Sequence, residues 1–407
     1  MALTNISGTL VLLGTMMGYG IITLPILFAK VGWIGATVML MCGAIITLMT
    51  VYLLFEASEA TAAKSSLGSK VSFFSIFESI SPIIGDFCNI SIAIYLFIAT
   101  IVFIRYITNF SIFVLESLIG KKFHRLFIII PVAIIEFVLA LLPNISALSK
   151  VTYLSMASCL FVGVLCVRYS LLKPENIVFK KFDSTGITKT MGGFIFALTG
   201  QTVVPDIYQS MSHSASPIFI TLAGILLGIS MCLLMGLSGY FLGGENLRTY
   251  NNIVEYLCEP GTPIRKAIGK SSFDTKGYAI ILATFLFMSL LICSYALLHY
   301  TGKNCLFETL NRHTTRYELN TKQYTNGLRL VSFFWINLTM VLERFCTFSV
   351  INLNGIYIGN IIGFILPSTA YILHCGKQSK ILFYASILIL FLGVGMICYN
   401  TYELFTS

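Results

Sequence analysis

Residues 14–25 read Gly-Thr-Met-Met-Gly-Tyr-Gly-Ile-Ile-Thr-Leu-Pro, and residues 192–205 read Gly-Gly-Phe-Ile-Phe-Ala-Leu-Thr-Gly-Gln-Thr-Val-Val-Pro. In both, a strongly apolar run carries glycines, and a proline follows the last glycine at the same spacing: Gly20/Pro25 and Gly200/Pro205. Glycine lowers helix propensity and proline removes a backbone donor, so each stretch predicts a helix interrupted near its middle. Close packing accounts for a single glycine-rich helix. It does not account for two copies at matching positions.

Around these two stretches the chain divides into eleven apolar spans, at about 6–28, 33–55, 84–113, 126–143, 147–171, 189–210, 217–242, 277–300, 328–348, 350–373 and 380–402. Each is near the roughly 20 residues that cross a hydrocarbon core. The interrupted spans are the first and the sixth. An odd number of spans per repeat makes the second copy enter the membrane from the opposite side, which is the inverted-repeat pattern, and paired Gly/Pro interruptions in it point to a binding site. A broken helix there offers bare N–H and C=O groups to a zwitterion and a small cation. The expected organisation is one transmembrane domain: repeat one about 6–171, repeat two about 189–373, and an extra helix about 380–402. Polar connections are expected at 172–188, 243–276 and 301–327.

Composition excludes a water-soluble fold. Of 407 residues 57% are apolar and 11% charged, against roughly a quarter charged in soluble domains. Lipid must be the outer solvent, and the continuous rather than alternating apolar runs select helices over a barrel. The lipid bilayer is therefore one partner. The net charge of +9 comes from Lys and Arg scattered over connections, which argues against a nucleic-acid partner. Basic residues fall on both sides, so charge does not set the orientation. Most of the 11 cysteines (Cys42, Cys88, Cys159, Cys166, Cys232, Cys293, Cys346 and Cys398) lie in apolar runs and are expected as buried free thiols. The first apolar run has no basic stretch before it, so no cleavable signal and no soluble terminal domain are expected.

Gly18-Tyr19-Gly20-Ile21-Ile22-Thr23-Leu24-Pro25, with Ala29-Lys30-Val31-Gly32-Trp33 after it, resembles the first-helix signature of the amino acid/auxin permease family. Gly200-Gln201-Thr202-Val203-Val204-Pro205-Asp206-Ile207-Tyr208-Gln209-Ser210-Met211 resembles that family's sixth-helix signature, and most of all its vacuolar and vesicular amino acid transporters. Weaker similarity extends over Leu142–Ser149, Gly239–Gly243 and Ile365–Pro367, so the resemblance covers nearly the whole chain. It implies an all-α polytopic fold with five-plus-five inverted repeats (LeuT-like) and an eleventh helix. It also implies amino acid transport coupled to H⁺ or Na⁺ across a vacuolar or lysosomal-type endomembrane or the plasma membrane. Two departures bear on coupling: Gln201 stands where the branch often has His, and Ser294-Tyr295-Ala296 where helix eight often has Pro.

The expected substrate contacts are the backbones flanking the two breaks, Met17, Gly18, Tyr19 and Gly20 in one and Ala197, Leu198, Thr199 and Gly200 in the other. The company of Met16, Met17 and Leu198 suggests a neutral amino acid. Charges inside spans each cost about 2.5–3.5 kcal/mol at a helix centre and so invite a functional reading. Arg105, Glu343 and Arg344 can pair or snorkel near an interface. Glu136, between Ile135 and Phe137, suits a proton carrier or an ion pair with Arg105. Asp206 suits a helix cap or a part in coupling, and Gln201 is a further coupling candidate. Ser289 and Ser294 could offer hydroxyls to Na⁺, although membrane-helix hydroxyls more often bond their own backbone. His124, His213, His299, His313 and His374 show no metal-ligand spacing, and no cofactor is implied beyond the coupling ion. No cluster at catalytic spacing suggests an enzyme, and no filter motif a channel. A secondary amino acid transporter, H⁺-coupled in preference to Na⁺-coupled, is the leading reading. A sensor of the same fold is the alternative, and no obligatory protein partner is implied.

Overall fold

Apolar runs without alternation leave backbone groups that only a helix can satisfy in lipid, and the chain folds accordingly. The computed structural model describes residues 2–64, 71–142, 145–172, 177–259, 261–270, 277–314, 321–345, 348–376 and 378–406. Among them the only extended pairing is a single bridge between Leu3 and Met211. The first half comprises α1 (Asn5–Met16), α2 (Tyr19–Val31), α3 (Trp33–Lys64), α4 (Phe73–Glu78), α5 (Pro82–Ile119), α6 (Arg125–Ala140) and α7 (Ile145–Ser170). The second comprises α8 (Ile187–Leu198), α9 (Val204–Ser210), α10 (Pro217–Gly243), α11 (Ile253–Cys258), α12 (Pro263–Lys270), α13 (Tyr278–Thr314), α14 (Thr321–Leu342), α15 (Phe348–Asn354), α16 (Leu366–Cys375) and α17 (Lys380–Thr406). Between α15 and α16 the helix continues through two wider turns, Gly355–Gly359 and Ile361–Ile365.

Among the described residues seven helical stretches are long and apolar enough to cross a membrane, on α3, α5, α7, α10, α13, α15–α16 and α17; the α1–α2 pair, bent by 50°, makes an eighth. The other three predicted spans fall on α6, α8–α9 and α14. The first has only 16 residues, the second is interrupted, and the third carries Asn326, Arg329 and Asn337. The predicted connections contain more helix than composition suggests. Residues 301–314 continue α13, and 243–276 holds α11 and α12. The turn at Pro143–Asn144 lies outside the described residues, as does Cys346.

Small residues let the interrupted helices sit at the centre. On α10, Gly224 and Gly228 receive Leu12 and Met16 of α1, while Gly236 and Gly239 receive Phe28 and Pro25 of α2. Dispersion between close backbones, not exclusion of water, holds such contacts in lipid. From Gly8 to Met16 every residue of α1 is buried, whereas α17 is peripheral and turns Tyr384, Leu388 and Phe391 outward. Cys42 and Cys398 are also exposed, contrary to the expectation from their apolar runs. They lie on outward-facing helix sides, while Cys88, Cys159, Cys166, Cys232 and Cys293 are buried.

Candidate functional site

The α1 helix ends at Met16, and the chain leaves helical geometry at Met17 (φ −84°, ψ 49°) and Gly18 (φ −100°, ψ −149°) before α2 begins. No side chain caps the α2 N-terminus, the positive end of a 13-residue helix, although Ile21 N–H donates to Gly18 O (3.2 Å). In the second half α8 ends at Leu198, Thr199 is extended, and Gly200 leads into a tight turn, Gln201–Val203, and then α9. The last α8 carbonyls therefore sit at a negative helix end. Both predicted interruptions are present.

They also lie against each other. A Cβ added to Gly20 would stand 2.6 Å from the Cα of Ala197, and one added to Gly200 would stand 3.1 Å from Leu12 Cδ1 and Met16 Cγ. Gly18 faces the ring of Phe103 on α5, where an added Cβ would lie 2.5 Å from Cζ. Met17, Gly18, Ala197, Leu198, Thr199 and Gly200 are all buried. The positive end of α2 and the negative end of α8 thus lie close together, with Met16, Met17, Phe103, Ala197 and Leu198 buried around them. The Tyr19 side chain lies outside the described residues. Phe103 gives no signal in sequence, because it sits in a run of equally apolar neighbours.

The interrupted helices are latched at both ends. On the face of the chain's N-terminus, Leu3 N–H donates to Ser210 O (2.6 Å), Ser212 N–H to Leu3 O (2.9 Å), and Ser216 N–H to Asn5 Oδ1 (2.6 Å), tying α1 to the end of α9. On the opposite face Asp183 N–H donates to Val31 O (2.6 Å) and Arg248 Nε to Ala29 O (2.9 Å), which caps the last carbonyls of α2. The Asp183 carboxylate accepts from Lys180 Nζ (2.8 Å) and Arg248 (3.0 Å). The hydrogen bond from Lys180, then that from Thr185, then Arg248, holds its carboxyl well below the ordinary 3.8.

The coupling candidates separate. Ser294 Oγ donates to Gly14 O (3.2 Å) and Met17 O (3.0 Å), so the hydroxyl predicted beside the first interruption is there. Ser289 instead donates to Phe285 O on its own helix (3.1 Å) and is not brought to the interruption. Gln201 is a bracket: its Oε1 accepts from Gly200 N–H (2.9 Å) while Nε2 donates to Thr50 Oγ1 (2.8 Å) and Gly363 O (3.4 Å). Asp206 stands in the first turn of α9 and accepts from Thr301 (2.8 Å). Glu136 is fully buried, and neither carboxyl oxygen meets a hydrogen-bond partner among the described residues. Of the two roles open to Glu136, the ion pair with Arg105 is not formed. Arg105 donates instead to Arg344 O (3.4 Å), and it is Arg125 that makes the bidentate pair, with Glu343 (2.8 and 2.6 Å).

Three comparisons bear on what this arrangement is. The sequence profile of the family described as transmembrane amino acid transporter protein matches residues 1–406. A search of curated proteins finds no match. Among solved structures, MhsT in complex with L-phenylalanine superposes with a TM-score of 0.61 at 10% identity, covering 98% of this chain and 98% of that one. At that identity the likeness speaks for the fold, an all-helical inverted-repeat (LeuT-like) transporter architecture.

Proposed function

We propose that this chain, which belongs to the transmembrane amino acid transporter family, is a secondary active transporter of neutral amino acids driven by a proton gradient. The observation that carries the reading is the apposition of two interrupted helices, with Gly20 against Ala197 and Gly200 against Leu12 and Met16. A substrate between them finds N–H groups of α2 for its carboxylate, and carbonyls ending α1 and α8 for its ammonium. The uncharged wall of Met17, Phe103 and Leu198 favours a neutral side chain. Both faces are latched in this arrangement, so exchange with either compartment requires one latch to open at a time.

Proton coupling rests on Glu136. A carboxylate in an apolar bundle, without a hydrogen-bond partner among the described residues, is costly as an anion and acceptable as an acid. Its charge can therefore report on the state of the surrounding helices. A membrane with a standing proton gradient, of vacuolar or lysosomal type or the plasma membrane, suits this reading. Sodium coupling is the second reading, and Ser294 favours it. Its hydroxyl and the Gly14 and Met17 carbonyls form an oxygen cluster suited to a small cation.

Uptake of a panel of labelled amino acids into proteoliposomes, under imposed H⁺ or Na⁺ gradients, tests both. The proton reading expects accumulation without Na⁺ that an ionophore abolishes, and its loss in Glu136→Gln with substrate exchange retained. Accumulation that follows Na⁺ and ignores pH transfers the assignment to Ser294. Uptake of nothing in the panel leaves the sensor reading in front.

A further inference from the structure

Three residues of α13 spaced one turn apart, Tyr295, His299 and Lys303, share one face, since residues four apart on a helix are neighbours. All three are buried. Opposite them stand Glu136 and Ala140 of α6, also one turn apart, and Ser332 and Thr339 of α14. Several contacts fix the register. Lys303 Nζ donates to Ala140 O. His299 Nε2 meets Ser332 Oγ at 3.1 Å. The Tyr295 and His299 rings stack at 5.8 Å and 9°, and Glu136 is near enough to act electrostatically on Tyr295 and Cys293.

The polar groups of this column are under-used. His299 Nδ1 and both Glu136 oxygens have no hydrogen-bond partner among the described residues, and the Tyr295 hydroxyl lies near Thr339 without forming a well-directed bond. Buried polar atoms in such numbers call for an explanation other than packing. At its far end the column reaches a cavity of about 420 Å³, lined by Ser332, Lys303, Asn304, Tyr324 and Arg329 among others. Thr325 and Arg329, on its wall, are exposed. Ser332 belongs to both the cavity wall and the His299 contact.

We infer that His299 and Ser332, with the Tyr295 hydroxyl, form a proton relay between this cavity and Glu136. The inference rests on the proton-coupled reading above. The imidazole gains a proton at Nε2 from the Ser332 hydroxyl, which is refilled from the cavity side. It gives one up at Nδ1 toward Tyr295 and Glu136, through bridging water where groups do not touch. The ring is then neutral again but protonated at Nε2, and it regains its Nδ1–H tautomer by proton exchange through water before the next transfer, so no net charge is left on the relay. The titratable or charged groups facing it are Glu136 on α6, Cys293, Tyr295, Tyr300 and Lys303 on α13, and Tyr324 and Arg329 on α14. From α5 comes neutral Thr100, which holds the Trp335 indole against His299, and from α7 neutral Ser155.

The test uses the full chain in proteoliposomes with three readouts: substrate exchange without a gradient, proton-driven accumulation, and substrate-dependent proton uptake by an internal pH dye. For His299→Gln the relay predicts exchange within about twofold of wild type, and proton uptake reduced roughly tenfold or more, positioned proton-transfer groups contributing about 10² or above. Ser332→Ala, a milder change, should lower proton uptake in the same direction and restrict it most at high external pH. Wild-type proton uptake in both variants overturns the relay, and in that case loss of uptake in Glu136→Gln keeps the proton-coupled reading intact. Wild-type uptake in Glu136→Gln overturns that reading first. If His299→Gln loses exchange as well, Ser332→Ala decides: normal proton uptake there assigns His299 to packing.

Discussion

Gly20→Ala adds one methyl group where the two interrupted helices touch. That carbon would lie 2.6 Å from Ala197 Cα, 2.9 Å from Ala197 Cβ and 3.2 Å from Ala197 N. Carbon pairs are comfortable at about 3.5–4.0 Å, so the deficit is about 1 Å. Two of the three clashing atoms are backbone, which cannot rotate away, and Ala197 is itself held in α8. The substitution gains about 1 kcal/mol of helix propensity in α2 but incurs an overpacking cost of about 1–3 kcal/mol. The net effect on stability is therefore small, between neutral and about 2 kcal/mol destabilising. The effect on transport is not small. A displacement of about 1 Å between α2 and α8 moves the N–H groups away from the carbonyls that share one substrate, and misplacement of that size can reduce a rate about 10²-fold. Gly200→Ala is the control, because its added carbon would meet the side-chain atoms of Leu12 and Met16 at 3.1 Å, and Met16 can adjust. Initial rates of uptake, with thermal unfolding of the purified protein alongside, measure both effects. Wild-type uptake by Gly20→Ala would refute the argument that substrate binds between these two backbones.

Gly18→Val should abolish uptake in a folded protein, since its side chain would enter the space before the Phe103 ring; wild-type uptake would reduce Gly18 to a packing residue. Ser294→Ala should lower stability by about 1–3 kcal/mol by leaving the Gly14 and Met17 carbonyls without their donor, while proton-driven accumulation persists; a selective loss of Na⁺ dependence would support the other coupling ion. Arg125→Met leaves Glu343, only 2% exposed, with the more distant Arg344 guanidinium at 4.0 Å as its remaining charge partner and should cost about 3 kcal/mol in unfolding experiments, the low end for a broken buried pair, with Glu343→Gln in the same background recovering most of it. The Asp183 latch should depend on acid in a defined direction. Its carboxyl titrates below 3.8 in the folded chain, so its contribution is complete above that value and is lost as pH falls through the lower folded-state value. Asp183→Asn should therefore be less stable than wild type at neutral pH and converge with it in strong acid, and parallel pH profiles would disprove the latch.

Sequence disclosed the two interruptions because their cause is local: glycine and proline act on the backbone of their own helix, and their positions can be read without knowing what packs against them. The Ser294 placement was legible for a related reason, since a hydroxyl in an apolar span must find a carbonyl. Sequence could not say whether that carbonyl would be on α1 or, as for Ser289, on the same helix. The role of Phe103 was hidden, because an aromatic ring among Val102, Ile104 and other apolar residues carries no mark of its neighbour. The pairing of Glu136 with Arg105 failed because charge complementarity ranks pairs by sign, whereas geometry gave Glu343 to Arg125. The Tyr295–His299–Lys303 column was missed by ending the eighth span at residue 300. Lys303 and Glu308 lower hydropathy there, yet α13 continues to Thr314, with Lys303 spent on a carbonyl of α6 and Glu308 on Ser72 and Asn89.

The same helix joins the two halves of the proposed mechanism. Ser294 holds the carbonyls at the end of α1, while its chain neighbours Cys293 and Tyr295 are the residues on which Glu136 acts. Three consecutive positions of α13 therefore turn one side to the first interruption and the other to the buried carboxylate. A change of charge on Glu136 alters the cost of burying α6 against α13, and any shift of α13 is transmitted directly to the end of α1 through two hydrogen bonds. The latch between Leu3, Asn5 and the residues following α9 is attached to that same α1 helix. In the proposed mechanism protonation of Glu136 and release of the N-terminal face would thus be connected through one rigid element and without a long chain of intermediates, which is the physical condition for two sites to bias a single two-state motion.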